Sequence, residues 1–148
     1  MLAPTNYYQN AHRLDLPISD NVTDVYPGQL FHINDEGEYD YADGTRKAYP
    51  TLNSRYNGQG LGLQRERLEG RDNVSRLGAI TCLMNNYMIG TDMYDKEASY
   101  THGKPVVASK TKEGVVEPFT EGTHKAQDIV GYVTIVPSDD SEFLHYQS

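Results

Sequence analysis

The chain has no tryptophan, three phenylalanines and a single cysteine, Cys82, among its 148 residues. One thiol can form neither an intrachain disulfide nor a cluster of thiolate zinc ligands, so stability must come from packing or association. The large side chains are mostly tyrosines, twelve in all, and their polar tips suit half-exposed strands and protein interfaces. The length fits one domain.

Long apolar runs are also missing. A transmembrane helix needs about 20 apolar residues, and the longest run, residues 129–136, is far shorter. The first eight residues lack the basic region and apolar stretch of a secretory signal. We therefore expect synthesis in a cytoplasm and no membrane partner.

Positive charge is scarce overall but locally concentrated. The net charge of −8 argues against nucleic acid as a partner, because neutralising phosphates requires a basic face. Residues 45–77 nevertheless hold seven cations against three anions. Six of the seven arginines lie there, namely Arg46, Arg55, Arg65, Arg67, Arg71 and Arg76. Arginine is the cation that interfaces favour, so the segment is a candidate docking surface; alternatively, its charges pair with the acidic stretch Asp35 to Asp43.

The N-terminal residues 1–26 predict an extended arm that precedes a domain over residues 27–148. Pro4 and Pro17 disfavour a helix or a long central strand. A free tail would waste its apolar and aromatic residues, so we expect the arm to lie on its own domain or on a neighbour. The arm residues that we expect at an interface are Tyr7, Tyr8, Leu14 and Leu16.

From Pro27 onward the pattern is that of strands separated by turns. Residues 28–33 and 38–41 predict a hairpin around the turn at 34–37, and a short strand is expected near 47–52. Residues 53–73 hold four glycines and predict a long loop that coincides with the arginine cluster. β-Branched runs predict further strands at 103–108, 115–119, 129–136 and 142–146. The predicted fold class is all-β, a small β-barrel or β-sandwich with an extended N-terminal arm and one long Arg-rich loop.

Residues 77–90 fit two interpretations. Leu77, Ile80, Met84 and Tyr87 satisfy helical spacing. We favour two strands around Asn85 and Asn86, since asparagine tolerates the positive φ of a tight hairpin turn.

Few residues indicate chemistry. The glycines at 58, 60 and 62 lack the Gly-Lys-Ser/Thr of a nucleotide loop, and the five histidines show no metal-binding spacing. The acids between Asp35 and Asp43 could gather ligands for Ca²⁺, but a solvated hairpin explains them better. Cys82 lies in an apolar run, where a thiol is expected to be buried. We predict no catalytic residue, cofactor or metal site, and no enzyme.

The features from Gly28 onward resemble the decoration, or cement, proteins of tailed-bacteriophage capsids. The matching pieces are the Gly28-Gln29-Leu30 strand with its hairpin, Gly103-Lys104-Pro105-Val106, the Lys112-Glu113-Gly114 turn and Asp128-Ile129-Val130-Gly131-Tyr132-Val133. The resemblance implies a homotrimer on the outer surface of the virion capsid that clamps neighbouring subunits of the major capsid protein. It transfers no active site.

The residues are also compatible with two other functions. The tyrosines would suit a carbohydrate- or receptor-binding β-module of a phage particle, in which aromatic faces stack on sugar rings. The acids between Asp35 and Asp43 would suit a small carboxylate-dependent hydrolase.

Overall fold

The structure, a computed structural model, describes residues 11–53 and 79–148. In these ranges the secondary structure is almost entirely β, with one 3₁₀ turn at Ala126–Asp128, so the all-β prediction is confirmed. The strands are β1 His12–Pro17, β2 Leu30–Ile33, β3 Tyr39–Tyr41, β4 Tyr49–Pro50, β5 Ala79–Asn85, β6 Met88–Thr91, β7 Pro105–Ala108, β8 Val116–Pro118, β9 Gly131–Ile135 and β10 Leu144–Gln147.

The strands form three antiparallel sheets. The large sheet has the order β6-β10-β9-β7-β8, the central sheet has the order β3-β2-β4, and the N-terminal ribbon pairs β1 with β5. Single-residue bridges join Ile18 to Tyr39 and Thr51 to Cys82, which link the ribbon to both edges of the central sheet. These five strands surround a common core, but none of the sheets in the described ranges closes into a barrel.

Two clusters of buried side chains result. The larger core lies on the large sheet and includes Val106, Leu144 and Tyr146. The smaller core lies between the ribbon and the central sheet and includes Tyr39 and Cys82. Because successive side chains of a strand point to opposite faces, Leu30 of β2 enters the larger core and its neighbour Phe31 the smaller one.

The predicted hairpin at 28–41 is confirmed. Strands β2 and β3 pair with Phe31 opposite Tyr41, and Gly37 takes the positive φ of 79° in the turn between them. The Asn34 side chain accepts hydrogen bonds from the backbone N–H groups of Glu36 and Glu38. The turn therefore owes its shape to local asparagine and glycine chemistry, as the sequence indicated.

The segment at 77–90 is strand and not helix from residue 79 onward, but the predicted hairpin is wrong. Asn86 has the expected positive φ of 60°, yet β5 pairs with β1 whereas β6 pairs with β10. The physical reason lies in the next residue, Tyr87, which is buried in the larger core and donates its hydroxyl to Val130 O. Its anchoring sends the chain into a different sheet instead of back along β5.

The stretch predicted as an arm is extended and lies on the chain's own domain from residue 12. Leu14 pairs with Cys82 and Leu16 with Ile80 in the ribbon. Ile18, Val22 and Val25 are buried in the smaller core.

Candidate functional site

Strand β1 presents the arm residues that sequence analysis placed at an interface. Five of its six residues are exposed, and among the described strands only β5 pairs with it along its length. The Leu14 side chain is 39% exposed, while its carbonyl accepts the Tyr39 hydroxyl at 2.7 Å. Leu16 packs against the smaller core. The backbone of β1 is thus fixed while Leu14 faces solvent. Tyr7 and Tyr8 lie outside the described residues.

Arg46 is the one member of the arginine cluster in the described ranges. Its guanidinium donates to Ile33 O at 2.9 Å and to Asp35 Oδ1 at 2.8 Å, which holds the β2–β3 turn. This contact agrees with pairing to the acidic stretch of the same chain. Both side chains are largely exposed, and such a pair contributes only about 0–1 kcal/mol. The predicted interface residues Arg55, Arg65, Arg67, Arg71 and Arg76 lie outside the described residues, as does most of the predicted Arg-rich loop.

Two of the acids between Asp35 and Asp43 accept hydrogen bonds from residues close to them in sequence. Asp40 accepts the backbone N–H of Tyr41, and Asp43 accepts the hydroxyl of Thr45 at 2.6 Å and its backbone N–H at 3.0 Å. Burial raises the pKa of Asp43, but the Thr45 hydrogen bonds and the nearby His32 outweigh it and hold the pKa below its ordinary value. In the described ranges, no three His, Cys, Asp or Glu side chains converge as metal ligands would.

Cys82 is buried in the smaller core, as its apolar run predicted. Burial raises the pKa of its thiol to about 12, although hydrogen bonds with Tyr39 and Thr51 act in the opposite direction. The thiol therefore remains protonated at neutral pH, and the thiolate that a nucleophile requires is not formed there.

The structure contains a buried histidine–carboxylate pair that the sequence did not predict. His124 Nε2 lies 2.8 Å from Glu117 Oε1, and its Nδ1 accepts the backbone N–H of Thr120 at 2.8 Å. Because Nδ1 accepts, the ring proton lies on Nε2 and is donated to the carboxylate. The side chains are only 6% and 17% exposed, so the pair fixes the loop after β8. The seven-residue separation of the two groups carries no recognisable motif.

Two exposed apolar side chains lie at the end of β9 and directly after it. Ile135 is 53% exposed and Val136 is 37% exposed, although the run 129–136 was predicted as an ordinary strand. An open cavity of about 400 Å³ is lined by Val133 of the same strand and by Tyr100, Pro105 and Phe119. The alternation of residues along a strand predicts which side chains face the core. It does not predict which side chains at the end of a strand are exposed.

A larger open cleft of about 710 Å³ lies on another part of the surface. The residues that line it include Lys47 and others at the start of β1, in the turn after β5 and in the segment that leads into β9. The polar or ring-bearing side chains in its lining include His12, Lys47, Asn85, Gln127 and Tyr132. These residues are distant in sequence, so no local pattern could have assembled them.

Comparison with known proteins gave no match to a family model, to a curated protein or to a solved structure. No helix in the described ranges is long and apolar enough to cross a membrane.

Proposed function

We propose that this chain is a structural decoration protein of a tailed-phage head that binds the outer capsid surface and clamps neighbouring major capsid protein subunits. The observation that carries the proposal is strand β1, which is fixed by β5 and by the Tyr39 hydroxyl while most of its residues are exposed. A strand held at the surface can contact a second protein through its edge and its outward side chains without unfolding the domain that carries it.

A clamp needs a second contact surface, and the end of β9 supplies one. Ile135 ends β9 in the large sheet and Val136 follows it, whereas Leu14 belongs to the N-terminal ribbon. Exposed apolar side chains and open cavities with apolar walls are both typical of surfaces that bind another protein. We assign this second surface to a sister copy, because exposed apolar side chains on one copy and the cavity of the next copy can join in a head-to-tail ring, as a homotrimer requires.

Charge is arranged compatibly with that contact. The loop after Val136 carries the exposed acids Asp139, Asp140 and Glu142, while Lys104 lies at the cavity. In a head-to-tail ring the acidic loop of one copy would approach the lysine of the next. Glu121 also lines the cavity, so the apolar contact and not the ion pair would supply most of the affinity.

The test compares tailed-phage heads that carry the chain with heads stripped of it. A protein that binds only the assembled shell stabilises that shell by mass action, so decorated heads should disrupt at a higher temperature in calorimetry. Leu14→Asp should abolish the increase, because it places a charge on the exposed face of β1 without altering a buried side chain. Tyr26→Asp, at a residue of similar exposure (37%) outside β1, is the matched control.

The oligomeric mass of the purified chain tests the sister-copy contact separately. Native mass spectrometry should give three chains for the wild type and one chain for Ile135→Asp. Equal disruption temperatures for decorated and stripped heads would refute the capsid role, and a monomeric wild type at all concentrations would refute the trimer.

A further inference from the structure

The 710 Å³ cleft differs from the rest of the molecule in its charge. The chain has 21 aspartates and glutamates and a net charge of −8, but no carboxylate side chain belongs to the described residues that line this cleft. Its basic side chains are those of Lys47 and His12. Lys47 thus places a positive charge among lining residues that include no Asp or Glu, an arrangement that favours an anionic group.

One aromatic ring lies open in the same cleft. Tyr132 of β9 is 49% exposed and lines the cleft although Gly131 and Val133, its neighbours on the strand, are buried. A tyrosine ring offers a large apolar face and a polar hydroxyl at low cost in conformational entropy. It is suited to a flat ligand that has an apolar face and polar edges.

Two carboxamide side chains also line the cleft. Asn85 ends β5 and Gln127 lies in the 3₁₀ turn, and both are exposed. Each amide carries two donors and an acceptor, the combination that pairs with hydroxyl groups acting as both donor and acceptor. The cleft volume also lies within the range of about 300–1,000 Å³ that small-molecule sites occupy.

The lysine, the aromatic ring and the amides of the cleft fit some classes of anionic ligand better than others. A nucleic acid requires several phosphate contacts from Lys or Arg, which one lysine does not supply and which the net charge opposes. A bare inorganic anion would make no use of the Tyr132 ring. A sugar that carries a carboxylate uses the ring, the amides and Lys47 at once.

We infer that this cleft binds an acidic saccharide, with the sugar ring against Tyr132, hydroxyl groups at Asn85 and Gln127 and the carboxylate at Lys47. This inference goes beyond the decoration role and does not depend on it. Neither Leu14 nor Ile135 lines the cleft, so saccharide binding and shell binding are tested with separate variants.

The experiment titrates the isotopically labelled chain with glucuronic acid and, as the neutral counterpart, glucose, and follows backbone amide shifts by NMR. Glucuronic acid should produce saturable shifts at residues of the cleft, and glucose should bind about tenfold more weakly, a loss of about 1.4 kcal/mol. Lys47→Ala should reduce the affinity for glucuronic acid to that for glucose. Tyr132→Ala should weaken both sugars about tenfold, the loss expected for one aromatic contact.

Matched controls use the same substitutions elsewhere. Tyr26→Ala removes another exposed tyrosine and Lys96→Ala another exposed lysine, and neither residue lines the cleft. Both variants should bind as the wild type does, and Gln127→Ala provides a further cleft variant should Tyr132→Ala lower the melting temperature. The inference is overturned by absence of saturable shifts, by shifts centred outside the cleft or by equal binding of the two sugars.

Discussion

The smaller and the larger core use their buried tyrosines differently. In the smaller core, the Tyr39 hydroxyl donates to Leu14 O on the outermost strand, β1. In the larger core, Tyr87 donates to Val130 O at 3.1 Å, but the Tyr146 hydroxyl has no hydrogen-bond partner among the described residues. Tyr39 thus holds an outer strand of the smaller core, whereas the larger core contains one bonded tyrosine hydroxyl, that of Tyr87, and one without a partner in the described ranges, that of Tyr146.

The cores also differ in what surrounds them. All five strands of the large sheet contribute to the larger core, and Leu30 and Ala42 cover it from the central sheet. The smaller core is bounded on one side by β1, which has a single strand neighbour in the described ranges. Segments with exposed backbone and few buried contacts open at lower free energy than the rest of a protein. We therefore expect β1 to open locally, while the larger core sets the global stability.

The largest effect should come from removing a side chain from the larger core. Leu144 is fully buried in β10, so Leu144→Ala should lower the free energy of unfolding by about 2–5 kcal/mol in urea denaturation. Hydrogen exchange should then accelerate throughout the molecule. Ile80→Ala, in the smaller core, should accelerate exchange chiefly in β1 and β5. Equal acceleration in β9 and β10 for both variants would remove the distinction between the cores. Lys125→Ala, which truncates an exposed side chain, is the control, with a change below about 0.5 kcal/mol.

Local sequence patterns predicted most of the strands but not their partners. The β2–β3 hairpin follows from Asn34 and Gly37, because its turn and both of its strands lie within a few residues of one another. The turn at Asn86 carries the same kind of signal, yet β5 and β6 enter different sheets because Tyr87 is anchored at Val130, far along the chain. A turn residue encodes a backbone conformation, and distant packing decides whether that conformation produces a hairpin.

The candidate sites were harder to predict from the sequence, because packing between distant segments decides them too. Leu14 was identified because an apolar side chain in a Pro-containing segment needs a partner. The cleft around Tyr132 was not identified, since Lys47, Asn85 and Gln127 come from separate parts of the fold. Their shared property, a described lining without Asp or Glu side chains, exists only after folding has brought them together.

The next effect in size is alkaline destabilisation, which involves both cores. Burial raises the pKa values of Tyr39, Tyr87 and Tyr146 far above the ordinary value of 10.0, and that of Cys82 to about 12 from 9.0. In the unfolded chain these groups lose protons near the ordinary values, while in the folded chain they keep them. Their contribution to stability is fully present below about pH 9 and falls as pH rises, by about 1.4 kcal/mol per pH unit for each group.

The measurement follows tyrosinate absorbance and circular dichroism together during titration with base. Each buried tyrosine should ionise only as the β structure around it is lost. If β1 opens first, Tyr39 should ionise ahead of Tyr87 and Tyr146, which Tyr39→Phe would reveal by removing the early part of the absorbance change. Ionisation of all three near pH 10 with the β signal intact would contradict the burial of their hydroxyls.

The smallest effect gives the sharpest comparison, because the same atom is removed from each core. Tyr39→Phe leaves the Leu14 carbonyl without its hydroxyl donor and should lower the free energy of unfolding by about 1 kcal/mol, with faster hydrogen exchange in β1. Tyr146→Phe removes a buried hydroxyl that has no partner in the described ranges, so it should leave stability unchanged or raise it by up to about 1 kcal/mol. Neither tyrosine has exposed surface, so both substitutions remove a hydroxyl from a buried side chain; that of Tyr39 is bonded to Leu14 O, and that of Tyr146 has no partner in the described ranges. Urea denaturation of the two variants beside the wild type measures this difference directly, and equal losses would mean that the Tyr39 hydroxyl does not hold β1.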